Sequence, residues 1–144
     1  MTETMVKQEV LFYKNSDDVR IDIDLMENIE GERLVMHSAT AAQIIQVLNL
    51  FDSQMCSALH SGEIEALAVI HLKREVDGLF FCTGDAKAIE ALVLMGLRSK
   101  GISLEHLLSK AGCTKKLPRH FSEIRFHELI EKASANKIQG IGLQ

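Results

Sequence analysis

Apolar and polar positions alternate strictly over one stretch: Val19, Ile21, Ile23 and Leu25 against Arg20, Asp22 and Asp24. A period of two predicts a half-exposed strand. Elsewhere the spacing is mostly helical. Ile44, Ile45, Val47, Leu48 and Phe51 share one broad face of a helix over 40–51. Ile64, Leu67, Ala68 and His71 line a face of the next helix. Ser61 is a candidate N-cap for it, and Glu63 and Glu65 sit in its first turn, where acids suit the helix dipole. Ile89, Leu92, Val93 and Leu94 predict a helix from Ala86 that Gly96 ends. Ser103 opens a short helix that closes on Gly112. Beyond Pro118, Ser122 is a plausible N-cap, with Phe121 and Phe126 at staple spacing, and this predicts a helix over 123–135.

The remaining segments are shorter. Residues 5–14 stay open between a helix, from the spacing of Met5, Val6, Glu9, Val10 and Tyr13, and a strand, from the β-formers Val10 to Tyr13. Asn15-Ser16-Asp17-Asp18 reads as a turn. Residues 33–37 read as a short strand after Gly31. The Asp77-Gly78 turn leads into a buried strand over 79–82, and the tail 138–144 is weakly patterned. Strand, turn and helix in quick succession predict βαβ-type units and a three-layer α/β/α fold with a short parallel sheet.

The chain has 144 residues, 47% of them hydrophobic, which is enough for one domain with a real core. There is no internal repeat or evident linker. Residues 1–114 read as the α/β body and 115–144 as a helical extension packed on it. The net charge of −4 gives no overall positive field, so any surface for nucleic acid has to be local. Lys115, Lys116, Arg119 and His120, with Lys110 nearby, form such a cluster, either a solvated face or a phosphate contact. No apolar run reaches the roughly 18 residues of a membrane span, and the opening MTETMVKQE lacks a signal-peptide pattern. The expectation is a soluble cytoplasmic protein with no membrane association. Cys56, Cys82 and Cys113 are too few and too far apart for a disulfide framework or a zinc knuckle, and Cys82 reads as a buried thiol.

Candidate chemistry centres on Thr83-Gly84-Asp85, the turn between the 79–82 strand and the helix from Ala86. In open α/β sheets, ligands bind beyond the carboxyl ends of the strands, and Asp85 stands there. It also stands where an N-cap belongs, and one oxygen can cap while the other faces out. Glu63 is a second acid near a helix N-terminus. Glu65 points about 200° away round the same helix and cannot easily share a ligand with it. Oxygen-only carboxylate sites suit Mg²⁺ or Mn²⁺. Asp22 and Asp24, with Asp85, superficially resemble the acidic motifs of haloacid-dehalogenase-type phosphatases, but those need a buried apolar strand where this one alternates with Arg20. There is no P-loop and no Gly-x-Gly-x-x-Gly.

The order LHSGEIEALAVI, an apolar strand, CTGDAKAIEAL and GISLEHLLSKAG resembles PIN domains, with TETMVKQEVLFYK similar to the family segment in which a helix carries an acid. The resemblance covers about three quarters of the chain. It departs in one respect: the family opens on an apolar strand ending in Asp, and no such strand is read here, so the implied fold is N-terminally abbreviated. What the resemblance implies is a Mg²⁺- or Mn²⁺-dependent ribonuclease cleaving single-stranded RNA, of a kind often found as the toxin of a toxin–antitoxin pair. Glu9, Glu63 and Asp85 would be its catalytic and metal-binding acids, and Thr83, Lys87, Lys115 and Lys116 would contact substrate. A protein antitoxin and a second copy of the chain are the implied partners. The alternatives are a catalytically impaired PIN-like interaction protein and a small phosphatase resting on Asp22, Asp24 and Asp85.

Overall fold

The computed structural model describes residues 1–15 and 17–144. It is a mainly helical α/β structure with two separate two-stranded sheets. A π-helical turn, Met5–Glu9, precedes an antiparallel hairpin of β1 (Phe12–Lys14) and β2 (Arg20–Asp22). Helices α1 (Leu25–Glu30), α2 (Ala41–Leu48), α3 (Ser53–Ala58) and α4 (Ser61–Leu72) follow. Then comes a βαβ unit: β3 (Phe81–Cys82), α5 (Ala86–Leu94) and β4 (Gly101–Ile102), the strands pairing in parallel with Phe81 opposite Gly101 and Cys82 opposite Ile102. Helices α6 (Leu104–Lys110) and α7 (Glu123–Ile138) complete the chain.

Sequence and structure differ where local signals met tertiary demands. The stretch 5–14 contains both alternatives in turn, a helical turn and then a strand. The alternating segment keeps strand geometry only over Arg20–Asp22, all of it exposed. Asp24 leaves the ladder to cap α1, accepting from the N–H groups of Met26 and Glu27, which is the local competition that short acidic side chains provide. The turn expected over 15–18 includes Ser16, which lies outside the described residues. Its flanks are held by Asn15 Oδ1, which accepts from the N–H of Asp17 and of Val19. Residues 33–37 form no strand beyond one parallel bridge between His37 and Thr2, because Met1–Glu3 offers only a brief partner. The final helix continues past residue 135 to Ile138.

Helix α5 holds the core together. It is buried nearly all round, at Ala88, Ile89, Ala91, Leu92, Val93 and Leu94. Leu92 and Ala91 join Val47, Phe51, Met55 and Leu67 in the main core, while Ile89 and Val93 pack against Phe126, Ile130 and Ala133 of α7. A helix apolar on every side is stable only when sandwiched in this way. Helix α4 is likewise buried over most of its surface, more widely than the single face its spacing suggested. The polar contacts across this sandwich are few. Asn136 Nδ2 donates to Glu90 Oε1 at 2.6 Å and Lys137 Nζ to the Val93 carbonyl at 3.1 Å, fixing the register of α7 on α5. Among the described residues, no helix is long and apolar enough to cross a membrane.

Candidate functional site

The N-termini of α4 and α5 bring three acids to one edge of the molecule. The N-cap of α4 is His60, whose backbone is extended (φ −84°, ψ 160°), and Ser61 is already the first helical residue. The expected Ser61 cap is therefore displaced by one position. Glu63, three residues after the cap, reaches back so that Oε2 accepts the His60 N–H at 3.0 Å, half of a capping box. The second acid arrives from the other end of the sequence. Glu9, at the end of the π-helical turn, accepts the Gly62 N–H at 2.9 Å through Oε1, satisfying a helix-terminal donor beside the positive end of the dipole. This approach needs glycine: a Cβ on residue 62 would overlap all three carboxylate atoms of Glu9.

Asp85 is the N-cap of α5. Its Oδ1 accepts from the N–H of Lys87 at 2.7 Å and of Ala88 at 2.9 Å. The Thr83 hydroxyl accepts the Asp85 N–H at 3.1 Å and fixes the turn, so Thr83 acts on the backbone here. The carboxylates of Asp85 and Glu63 feel each other. Burial pushes the Glu63 carboxyl above the usual carboxylate range and the Asp85 charge adds to that, against the pull of the His60 N–H and ring. The charged form of Glu63 is thus disfavoured in a site that a cation would relieve.

Stability should report this directly. With its folded pKa raised, Glu63 keeps its proton at pH values where the unfolded chain has lost it. The folded state then binds more protons, and stability falls as pH rises from the ordinary value of 4.5 through the raised one. Glu63→Gln keeps an acceptor for the His60 N–H and removes the charge. It is expected to match the wild type near about pH 4 and to exceed it in urea-melt stability from about pH 5 to 7. Parallel pH profiles for the two proteins would contradict the coupling.

The candidate substrate contacts divide. Lys87 Nζ turns along α5 to Glu90 at 2.7 Å, away from the carboxylates. Lys115 and Lys116 are exposed on the irregular segment that precedes Pro118. That segment leads back to the site by a contact the spacing did not reveal. The ring of Phe121 lies over Gly84, where a Cβ would stand 2.7 Å from it, with His120 beside it. Glu65 was also missed. It is buried at 5% exposure, and its two oxygens accept the Thr4 N–H at 2.8 Å and the Ala39 N–H at 3.4 Å. It clamps the segment that delivers Glu9. The only signals available were the glycines at 62 and 84, each placed just ahead of an acid.

The acids expected for a phosphatase stand elsewhere. Asp22 pairs with Arg20 at 2.7 Å on the exposed hairpin and Asp24 caps α1, so neither lies on a buried apolar strand. Cys82 is half-buried and lines a cavity of about 220 Å³ with Thr2, Met5, His37 and Leu79. Burial pushes its thiol pKa up, which suits a packing role better than a nucleophile.

The donor set of Glu9, Glu63 and Asp85 is oxygen-only and fits Mg²⁺ or Mn²⁺ in chemistry. Each carboxylate uses one oxygen for backbone N–H groups, Oε1 of Glu9, Oε2 of Glu63 and Oδ1 of Asp85. Among the described residues, no three Asp, Glu, His or Cys side chains gather closely enough to hold a metal ion. Comparison with family models, with curated proteins and with solved structures finds no match to the chain.

Proposed function

We propose that this chain is a PIN-like ribonuclease, dependent on Mg²⁺ or Mn²⁺, that cleaves single-stranded RNA. In this reading its βαβ unit and flanking helices are a small three-layer PIN-like α/β/α fold. The toxin role, a protein antitoxin and self-association belong to the same proposal. The observation that supports it is the placement of three acids distant in sequence at the N-termini of α4 and α5: Glu9 on the Gly62 N–H, Glu63 on the His60 N–H within reach of the Asp85 charge, and Asp85 as the cap of α5. Such an edge is where α/β folds place ligands. Glu9, Glu63 and Asp85 would be the residues to hold the cation, which supplies water activation and neutralises charge on phosphate. The chain's own contribution is to fix the three carboxylates through helix-terminal N–H groups, each through one of its two oxygens.

The test is cleavage of single-stranded RNA in Mn²⁺ by the wild type and by Asp85→Asn, with Mn²⁺ uptake measured by calorimetry. Asparagine remains a good N-cap, so the variant keeps the start of α5 while losing the charge. Cleavage is expected to fall by about 10–100-fold or more, with Mn²⁺ affinity falling alongside it. Equal activity in both proteins, or none in either, would overturn the nuclease reading. A second reading, a catalytically impaired PIN-like interaction protein, is favoured by one observation: no three acids among the described residues are gathered as a metal group. Absence of both cleavage and stoichiometric Mn²⁺ uptake in the wild type would support it.

A further inference from the structure

The segment from Cys113 to Phe121 runs from the end of α6 to the start of α7 and passes beside the acidic edge. It carries three features that the carboxylates do not use. Lys115 and Lys116 are exposed, and among the described residues neither forms an ion pair within 4 Å, whereas Arg119 is engaged with Glu128 at 3.2 Å. Pro118 sits at φ −56°, ψ 149°, the extended geometry that proline stiffens. His120 is exposed and leans on the Phe121 ring, with centroids 4.0 Å apart and planes at 51°. Phe121 is in turn seated on Gly84, the residue before Asp85. An aromatic face is thus fixed one residue from a site carboxylate, and two cations stand five and six residues before it in the chain, within about 21 Å of it.

We infer that residues 115–121 form a binding strap for single-stranded nucleic acid, with His120 on Phe121 as the stacking platform and Lys115 and Lys116 as the phosphate contacts. Aromatic platforms take the open π-face of any unpaired base, and nearby cations follow the backbone. A duplex hides those faces. The location of the strap rests on the ribonuclease reading, since it would lay the strand past Asp85. Binding can nevertheless be read without cleavage.

The experiment uses the full chain carrying Asp85→Asn, in the absence of divalent cations. Its probe is a fluorescein-labelled single-stranded RNA of about 12 nucleotides, read by anisotropy over a range of salt. His120→Ala is expected to weaken binding about tenfold and leave the salt dependence unchanged, while His120→Tyr restores binding near the parent level. Lys115→Gln with Lys116→Gln is expected to lower the slope of log K against log salt by about 1.4, two phosphate contacts on a single strand. The corresponding duplex should bind at least about tenfold more weakly than the single strand. His120→Ala within twofold of the parent, an unchanged salt slope, equal binding of duplex, or no binding of the single strand each overturns the strap. Cleavage that persists without strap-dependent binding sinks this inference alone, and strap-dependent binding without cleavage sinks only the nuclease.

Discussion

Phe51→Ala is expected to destabilise the protein by about 3–5 kcal/mol, the range for deleting a fully buried aromatic ring. Phe51 has no solvent exposure and is the largest of the fully buried side chains. It packs with Val47, Met55, Leu59 and Leu67 where α2, α3 and α4 converge. The backbone around it is committed as well. Phe51 bridges Leu143, the Asp52 N–H donates to the Gly142 carbonyl at 3.2 Å, and Gln144 donates to the Leu50 carbonyl at 3.3 Å. The pocket therefore cannot collapse freely around the void, which places the cost toward the upper end. Chemical denaturation measures it, and a thermal midpoint lower by about 10 °C is the companion expectation. Phe51→Leu should lose distinctly less. A loss under about 1 kcal/mol for Phe51→Ala would mean that this junction is much looser than its burial indicates.

The second large effect is expected at Glu65, which is buried and joins two segments remote from α4 through its carboxylate. Its removal leaves the N–H groups of Thr4 and Ala39 without their acceptors. Glu65→Ala is expected to cost about 3 kcal/mol, from the loss of charge-assisted hydrogen bonds and the donors left behind. The damage should be local. Hydrogen exchange should quicken at residues 2–10 and 37–40, while the α5–α7 pair keeps its protection. Because the same segment carries Glu9, Mn²⁺ affinity should fall too, although Glu65 faces away from the acidic edge. Uniform loss of protection across the chain would refute a clamp acting on the N-terminal segment alone.

How much of this the sequence disclosed depends on the range of the interaction concerned. Elements set by local rules were legible. The caps at Ser103, Ser122 and Asp85 all accept N–H groups of their own helices, and the Gly78 turn precedes β3. The βαβ unit follows from its strand-turn-helix order. Asp85 had two readings, cap or ligand, and the structure shows the cap while leaving its second oxygen available. What escaped was long-range. The spacing of α4 puts Glu65 on a different face from Glu63 but does not reveal that it is buried as a clamp, because that depends on which segments pack beside it. Likewise His120 counted as one member of a basic cluster, and only the seating of Phe121 on Gly84 sets it beside Asp85. The short helix α3 was hidden because its single buried side chain, Met55, gives no period to read.

The bridge between Phe51 and Leu143 also has a temporal meaning. A ribosome makes the chain from its amino end, so α2 to α4 emerge long before residues 142–144. Throughout that interval the Asp52 N–H and the Leu50 carbonyl lack their eventual partners, and the apolar junction beneath them stays unsealed. Closing it requires a contact of very high sequence separation, the slowest kind to form. Until residues 142–144 have been made, the junction around Phe51 lacks these closing contacts, and that is the interval in which holding chaperones would find it.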